Sequence, residues 1–307
     1  MAKDELKNSI WFVLADGIKI YFTNIDKFVM YMLFPVFGQI AGILLAFGLS
    51  LGFADKVIAK TDSPVHALIF VILLALPGLL IFAKAFWDFM VAYVALNSMT
   101  EGAINTGKVY DFQSHNEVAT RRTFKFVLLL LAVGILSSLA TSIFFIIPGF
   151  VLWIYFILVY QVFTFEPELS IQDCFKRSFV LIRGNWLRTL ILMLILTFFS
   201  IYIITEGITV VFDYLNLTDK ICSLFTPFTN MIPLDFTNKV LVYLKLPIIT
   251  PEIISRTVFF SILSFIVTGL TLPIRSICWT LWYMSGVNEK NNIEKKLVRK
   301  KREQEVV

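Results

Sequence analysis

Six long apolar stretches dominate this chain, and they constrain its fold more than any other feature. An apolar run of about 20 residues can cross the roughly 30 Å hydrocarbon core of a bilayer as an α-helix. The sequence is 58% hydrophobic and contains 31 Phe residues. The predicted spans cover residues 28–53, 65–98, 124–147, 149–165, 187–212 and 257–287. The sequence therefore predicts an all-α integral membrane protein with six transmembrane helices.

The Lys and Arg residues lie almost entirely on one side of these spans. Of 27 such residues, 19 fall in the N-terminal segment, two alternate loops and the C-terminal tail, whereas only 6 fall in the opposite loops. Loops rich in Lys and Arg remain in the cytoplasm. We therefore expect both termini to be cytoplasmic, which requires an even number of spans.

Short sequence motifs indicate a threefold repeat. Leu-Pro-Gly at positions 76–78 recurs as Ile-Pro-Gly at 147–149, with a weaker copy, Leu-Pro-Ile, at 272–274. The other interpretation is that Pro and Gly mark a turn or kink in each hairpin by chance. The repeats would cover residues 1–105, 106–168 and 169–288, giving three hairpins in a membrane domain of residues 1–288. Residues 289–307 would form a basic cytoplasmic tail.

An amphipathic segment precedes each odd-numbered span. These segments cover residues 6–21, 116–124 and 171–182, and the first and third have apolar residues at near-helical spacing. Such a helix, flanked by basic residues, typically lies in the plane of the membrane interface. We expect three amphipathic interfacial helices on the cytoplasmic side.

Ionisable residues inside the apolar stretches are candidate sites. Lys84 and Asp88 are four residues apart, so they share one helix face and can pair. Arg275 is a second cation within a span, and Glu206 on the fifth span is its candidate partner. Because a charge in mid-membrane is costly, it usually faces the bundle interior or water. These residues predict either a polar cavity that contacts a substrate or structural ion pairs that hold helices together, with snorkelling as a third reading.

A second group of candidates lies where the fourth span ends. Glu166 closes that span, and basic residues follow it on the third amphipathic segment: Lys176, Arg177, Arg183 and Arg188. One hypothesis is a Glu–Arg network that fixes this helix to the bundle. The other is phosphate binding, which the fork geometry of Arg favours.

Residues 148–190 resemble the glycerophosphodiester phosphodiesterase membrane-domain family and its stand-alone six-span bacterial relatives. The resemblance rests on Pro-Gly at 148–149, Glu-Pro-Glu at 166–168, Lys-Arg-Ser at 176–178 and Arg-Gly-Asn-Trp at 183–186. The acidic residue usual after the final Tyr is missing, since Met284 and Ser285 follow Tyr283. The resemblance implies a bacterial inner-membrane location. It implies no catalysis, because the family's phosphodiesterase activity belongs to a separate soluble barrel.

No catalytic or metal-binding motif stands out in the sequence, so we expect neither an enzyme nor a cofactor. The leading hypothesis is a protein that handles or senses lipids or another amphiphile. A scaffold or assembly subunit is the first alternative, with the basic tail or the segment 213–252 as its partner surface. A small-solute transporter is the second. We expect membrane lipids as partners and no nucleic acid, and short interfacial helices at 219–225 and 235–246.

Overall fold

The computed structural model describes residues 9–59, 64–109, 111–142, 146–230, 234, 238, 241–243 and 245–305. Across these residues the chain is predominantly helical, and none of them forms a β-strand. A helix satisfies its own backbone hydrogen bonds, as an apolar chain in lipid requires. One segment, Phe199–Glu206, is π-helical. The helices are α1 (Ile10–Thr23), α2 (Ile25–Ala59), α3 (Pro64–Thr106), α4 (Phe112–Thr120), α5 (Thr123–Thr141), α6 (Ile146–Tyr155), α7 (Val159–Phe165), α8 (Ile171–Ile182), α9 (Trp186–Phe198), α10 (Gly207–Tyr214), α11 (Leu217–Thr229) and α12 (Pro251–Glu305).

Several helical runs are long and apolar enough to cross a membrane, which makes this a multi-pass membrane protein. Within the described ranges, five runs meet that condition on their own. A sixth arises only if Phe112–Thr120 and Thr123–Leu139, which meet at a bend of 72°, count as one span. The five runs are Ile25–Ser50, Ile69–Thr106, Ile147–Phe165, Trp186–Tyr214 and Pro251–Asn291.

The helix boundaries differ from the predicted spans in two respects. α3 continues through Pro77 to Thr106, and α12 continues through Pro273 as far as Glu305. Each therefore extends beyond its apolar stretch, and the predicted tail of residues 289–307 begins inside a helix. The span Ile147–Phe165 consists of α6 and α7, separated by a turn at residues 156–158.

Short helices precede the apolar ones three times along the chain. α1 precedes α2, α4 precedes α5, and α8 precedes α9. α8 has the bounds predicted for the third amphipathic segment, whereas α4 begins and ends four residues earlier than the predicted 116–124. α11 includes the helix predicted at 219–225. Half of the residues of the helix predicted at 235–246 lie outside the described part of the chain.

The described chain divides into two compact units. Unit 1 contains the described residues within 1–31, 90–197 and 271–307. Its core includes Phe126 and Phe163, whose rings are 5.8 Å apart, and the fully buried Ile154. α1 packs closely on α12 within this unit, because a β-carbon at Gly17 would lie 2.7 Å from the sulfur of Cys278.

Unit 2 contains the described residues within 32–89 and 198–270. In it α2 and α3 cross at glycines, because a β-carbon at Gly42 would lie 2.8 Å from the carbonyl oxygen of Gly78. Small residues of this kind allow two helix backbones to approach closely in a membrane. Elsewhere in the unit, Cys222 of α11 packs with Phe259 and Leu263 of α12.

Candidate functional site

A cavity of about 450 Å³ lies inside unit 1. Its size falls within the range of pockets that bind small molecules, about 300–1,000 Å³. Seven helices contribute to its wall. The lining residues are Tyr93, Asn97, Val133, Leu136, Ser137, Leu139, Pro148, Gly149, Leu152, Trp153, Phe156, Ile157, Tyr160, Gln161, Phe175, Met193, Leu196, Thr197, Leu272, Arg275, Ser276 and Trp279.

Helical spacing explains why these side chains meet. Residues three and four positions apart lie on one face of a helix. α12 contributes Leu272, Arg275, Ser276 and Trp279 to the cavity, which follow this spacing. α5 and α9 contribute triplets with the same spacing, at residues 133, 136, 137 and 193, 196, 197. Each helix thus presents one continuous face to the cavity.

Asn97 organises the polar part of the wall. Its Oδ1 accepts hydrogen bonds from Ser276 Oγ at 2.6 Å, Thr280 Oγ1 at 3.2 Å and Gln161 Nε2 at 3.2 Å. Its Nδ2 donates to the Tyr93 carbonyl at 3.0 Å and to Thr164 Oγ1 at 3.2 Å. The Asn97 amide is therefore fully used in joining α3, α7 and α12.

Gln161 retains an unused acceptor. Because its Nε2 donates to Asn97, its Oε1 must face away from that amide. The side chain lines the cavity, and the residue is only 4% exposed. Oε1 is buried and has no hydrogen-bond partner among the described residues. A buried acceptor left without a donor costs roughly 1–3 kcal/mol.

Arg275 supplies the charge of the cavity. Among the described lining residues, Arg275 is the one charged residue. These lining residues include neither Asp nor Glu. Within the described residues, its guanidinium makes neither an ion pair nor a side-chain hydrogen bond. Ser276, the residue that follows Arg275 on α12, donates a hydrogen bond to Asn97 and so attaches this part of α12 to α3. The cavity wall thus carries one net positive charge within a membrane span.

The two ionisable residues predicted on the second span do pair. Lys84 Nζ lies 2.5 and 2.6 Å from the two carboxylate oxygens of Asp88, on α3 in unit 2. The Lys84 side chain is 62% exposed, which contradicts the expectation that a cation here faces the bundle interior. At this exposed position the Lys84 ammonium pairs with Asp88 on the next turn of α3. It also lies 5.9 Å from the centre of the Phe34 ring.

Glu206 and Arg275, the other candidates within spans, fall in different units. Glu206 is the last residue of the π-helical segment in unit 2, whereas Arg275 lines the cavity of unit 1. Their pairing stays a prediction.

The structure brings Glu166 and Arg177 together. Arg177 Nε donates to Glu166 Oε1 at 2.9 Å, and the Tyr283 hydroxyl donates to the same oxygen at 2.8 Å. These bonds connect the end of α7 to α8 and α12. Other predicted members of the basic group, Lys176, Arg183 and Arg188, are exposed, and Lys176 pairs with Asp173 at 3.3 Å.

α8 uses its apolar face for packing inside the protein. Cys174 and Ser178 are fully buried, and the Ser178 hydroxyl donates to the Tyr155 carbonyl at 2.7 Å. Burial raises the pKa of the Cys174 thiol. Both side chains therefore pack against protein, although the sequence predicted that the helix 171–182 lies in the membrane interface. Phe179, on the edge of this face, remains 36% exposed.

Ser170 is the N-cap residue of α8. Ser170 Oγ accepts from the Asp173 backbone amide at 3.2 Å and donates to the Asp173 carboxylate at 2.6 Å. The second bond, with a smaller contribution from Lys176, lowers the pKa of the Asp173 carboxyl. Reciprocal bonds of this kind fix the first turn of a helix.

The sequence prediction missed the polar wall of the cavity. Asn97 and Gln161 carry no charge, and a search for ionisable residues passes over them. Their amides within apolar stretches were the available signal, because an unpaired amide is costly in lipid. A second contact that was missed joins α5 to the loop before α8, where Arg122 Nη1 and Lys125 Nζ donate to the Pro167 carbonyl at 3.4 and 3.1 Å.

The structure alone gives the class of this protein. The helices and their hydropathy define a helical multi-pass membrane protein. No family model matches the chain, and neither a curated protein nor a solved structure matches it. The similarity to the glycerophosphodiester phosphodiesterase membrane-domain family therefore remains a resemblance of the motifs within residues 148–190.

Proposed function

We propose that the protein binds an amphiphile, with the cavity of unit 1 holding its polar end. The observation that carries this proposal is a cation without a partner among the described residues, Arg275, in the wall of a cavity otherwise lined mainly by apolar and aromatic side chains. A charge at mid-membrane costs about 2.5–3.5 kcal/mol on insertion scales, so an unpaired one implies a functional partner. A ligand with an anionic group and an apolar body would complement both parts of this wall.

The chemistry of the lining favours binding over the alternatives. Its described residues include no carboxylate, imidazole or thiol, the groups that most often transfer protons. A small water-soluble solute would leave the Leu, Phe and Trp side chains of the wall without an apolar partner. The non-enzymatic handling or sensing of a lipid is therefore the function that this cavity supports best.

The proposal includes an orientation in the membrane. We place six spans in a bacterial inner membrane, with α5 as the third span and both termini in the cytoplasm. The excess of Lys and Arg in alternate loops supports this orientation. A reporter that works only in the cytoplasm, fused after Val307, should be active. Activity of a reporter that works only outside the cytoplasm would contradict it.

The three short helices fit the same orientation. α1, α4 and α8 precede their apolar helices on the side that we assign to the cytoplasm. The surface of α1 includes Trp11 at 74% and Phe22 at 61% exposure. Exposed aromatic residues on a short helix are typical of contact with the lipid interface.

A single tryptophan substitution tests whether the cavity holds a lipid. Val133→Trp would fill part of the cavity, whereas Ile135→Trp places the same side chain two residues away, at an exposed position outside the lining. Native mass spectrometry of protein extracted in mild detergent should show bound lipid in the wild type and Ile135→Trp. Val133→Trp should lose most of it while remaining folded. Equal retention by both variants, or no lipid in the wild type, would refute the proposal.

The same measurement separates the scaffold hypothesis from this one. A scaffold subunit would retain a second protein at fixed stoichiometry, and its retention would be insensitive to Val133→Trp. Retention of lipid that depends on the cavity is the result that we expect.

A further inference from the structure

We infer that the cavity opens sideways into the bilayer between α5, α6 and α9, and that its ligand is a long-chain lipid whose chain leaves through this opening. The inference rests on the proposed function and adds the route by which the ligand enters and the place of its apolar chain. It follows from the way in which exposure is distributed over the cavity wall.

The polar part of the wall is closed. Asn97 is fully buried, and Gln161 and Ser276, which donate hydrogen bonds to it, are buried as well. Leu272 and Trp279, which lie one turn to either side of Ser276 on α12, are also buried. These five residues therefore form a closed end of the cavity.

Six other lining residues are exposed, and they mark an opening. They lie on α5, α6 and α9, and we call them the mouth: Leu136, Leu139, Pro148, Leu152, Trp153 and Thr197. Leu139 is 58% exposed and Leu152 is 48% exposed, although both also line the cavity. Because a side chain that lines a cavity and is still largely exposed stands at its rim, the cavity opens at these residues.

The mouth faces acyl chains. Its residues on α6 and α9 fall within the runs Ile147–Phe165 and Trp186–Tyr214, which can cross a membrane, and those on α5 fall within Thr123–Leu139 of the bent pair. Five of the six side chains are apolar. Their exposure would oppose folding in water, whereas it carries no such cost in hydrocarbon. A ligand that passes the mouth thus comes from the bilayer.

The two ends of the cavity orient the ligand. Its anionic group lies at the closed end, where Arg275 precedes Ser276 on α12, and its chain points towards the mouth. A cavity of about 450 Å³ suits a drug-sized molecule, so a long chain does not fit entirely inside it. The rest of the chain stays among the acyl chains of the bilayer. An enclosed pocket would reject chains above a limiting length, whereas an open mouth sets no upper limit.

The first test is a competition among alkyl phosphates that differ only in chain length. Delipidated full-length protein in mild detergent is mixed with equal amounts of octyl, dodecyl, hexadecyl and eicosyl phosphate, and native mass spectrometry measures the bound fractions. We expect eicosyl phosphate to bind at least as well as dodecyl phosphate. Val133→Trp should lose all four to a similar extent, which separates binding in the cavity from adhesion to the apolar surface. Loss of the longer chains alone in the wild type would show an enclosed pocket and overturn the inference.

The second test changes the width of the mouth. Leu139→Trp should slow the exchange of bound hexadecyl phosphate for its deuterated form several-fold, and Leu139→Ala should accelerate it. Binding to the ligand-free protein should change in the same direction as release, because a narrower opening hinders both. Leu131→Trp is the matched control, since Leu131 is exposed on the same helix but lies outside the lining, and it should exchange at the wild-type rate. Equal rates in all four proteins would overturn the mouth.

A third test decides whether the mouth opens to lipid or to water. Leu152→Cys is reconstituted in phosphatidylcholine nanodiscs and treated with a water-soluble maleimide. A thiol that faces acyl chains should remain unlabelled until the protein is denatured, whereas Val180→Cys, at an exposed position of α8, should react at once. Peptide mass spectrometry assigns the label. Rapid labelling of Leu152→Cys would show an opening to water and overturn the route through the bilayer.

The outcomes distinguish this inference from the proposed function. If none of the four alkyl phosphates is retained, the proposed function fails and the inference fails with it. If they are retained but the longer chains are rejected, or if Leu152→Cys is labelled in nanodiscs, the cavity still binds an amphiphile and only the lateral opening is overturned.

Discussion

Glu166 and Arg177 form an ion pair with 2.9 Å between Oε1 and Nε, and the Tyr283 hydroxyl binds the same carboxylate oxygen. The pair connects the end of α7 to α8, and the tyrosine extends the connection to α12. The Glu166 and Arg177 side chains are 25% and 33% exposed, so the pair is partly shielded from water. Its geometry is that of a brace within unit 1.

Replacing Arg177 with Gln should therefore destabilise the protein. Glu166 would keep the Tyr283 bond but lose its charged partner, and a hydrogen bond to a charged group contributes about 1.5–3 kcal/mol. We expect a loss of about 1–2 kcal/mol, measured as a lower unfolding temperature in detergent. Lys176→Gln is the matched control, because this neighbour is exposed and its removal should change stability little. Equal losses in both variants would contradict the brace.

Substitution of Arg177 should change the stability of the protein, whereas substitution of Arg275 should change its lipid preference. Arg177→Gln should leave the ratio of anionic to zwitterionic lipid bound by the protein unchanged, because Arg177 is outside the cavity lining. A changed lipid ratio in Arg177→Gln would instead support the hypothesis that the basic residues of this segment bind phosphate groups.

The exposed pair of Lys84 and Asp88 makes a prediction about insertion. Asp88→Ala leaves the Lys84 ammonium unpaired on an apolar helix, whereas replacing both residues with Leu removes both charges. Since an unpaired charge in a span costs about 2.5–3.5 kcal/mol on insertion scales, the single variant should be less stable than the double variant. Thermal unfolding of both proteins measures the difference. Additive losses would argue against pairing.

The helix crossing in unit 2 should tolerate no side chain at Gly78. A β-carbon there would collide with the backbone of Ala46 on α2, which cannot move without separating the helices. Gly78→Leu should destabilise the protein by at least about 1–3 kcal/mol, the usual range for overpacking. Gly48→Leu on α2 is the matched control, because a β-carbon there meets no atom within 4 Å. Similar unfolding temperatures for the two variants would refute the close crossing.

The thiol of Cys174 should be unreactive in the folded protein. It is fully buried, and because burial raises its pKa, the reactive thiolate forms only above the pH range usual for a cysteine. A water-soluble maleimide at pH 7 should label Cys174 only after unfolding. Val180→Cys places a thiol at an exposed position of the same helix and should react rapidly. Peptide mass spectrometry assigns the label, and rapid labelling of Cys174 in folded protein would contradict the packing of α8.

Features that depend on local spacing were predictable. α8 has the predicted bounds because Ser170 caps it and its apolar residues recur at helical intervals. The contact between Lys84 and Asp88 follows from a separation of four residues on one helix. The direction that Lys84 faces did not follow, because both faces of α3 are apolar and the spacing alone does not say which one is covered.

The sequence by itself determined that the chain forms apolar helices long enough to cross a membrane, where the short helices precede them, and which charges interrupt them. Hydropathy and helical periodicity are sufficient for this, because they are properties of neighbouring residues. Only the tertiary structure decided that Asn97 meets Gln161 and Thr280, which are 64 and 183 positions away. The same packing places Arg275 in the wall of a cavity and buries Cys174. Such contacts depend on which faces of separate helices come together, and local spacing does not encode that choice.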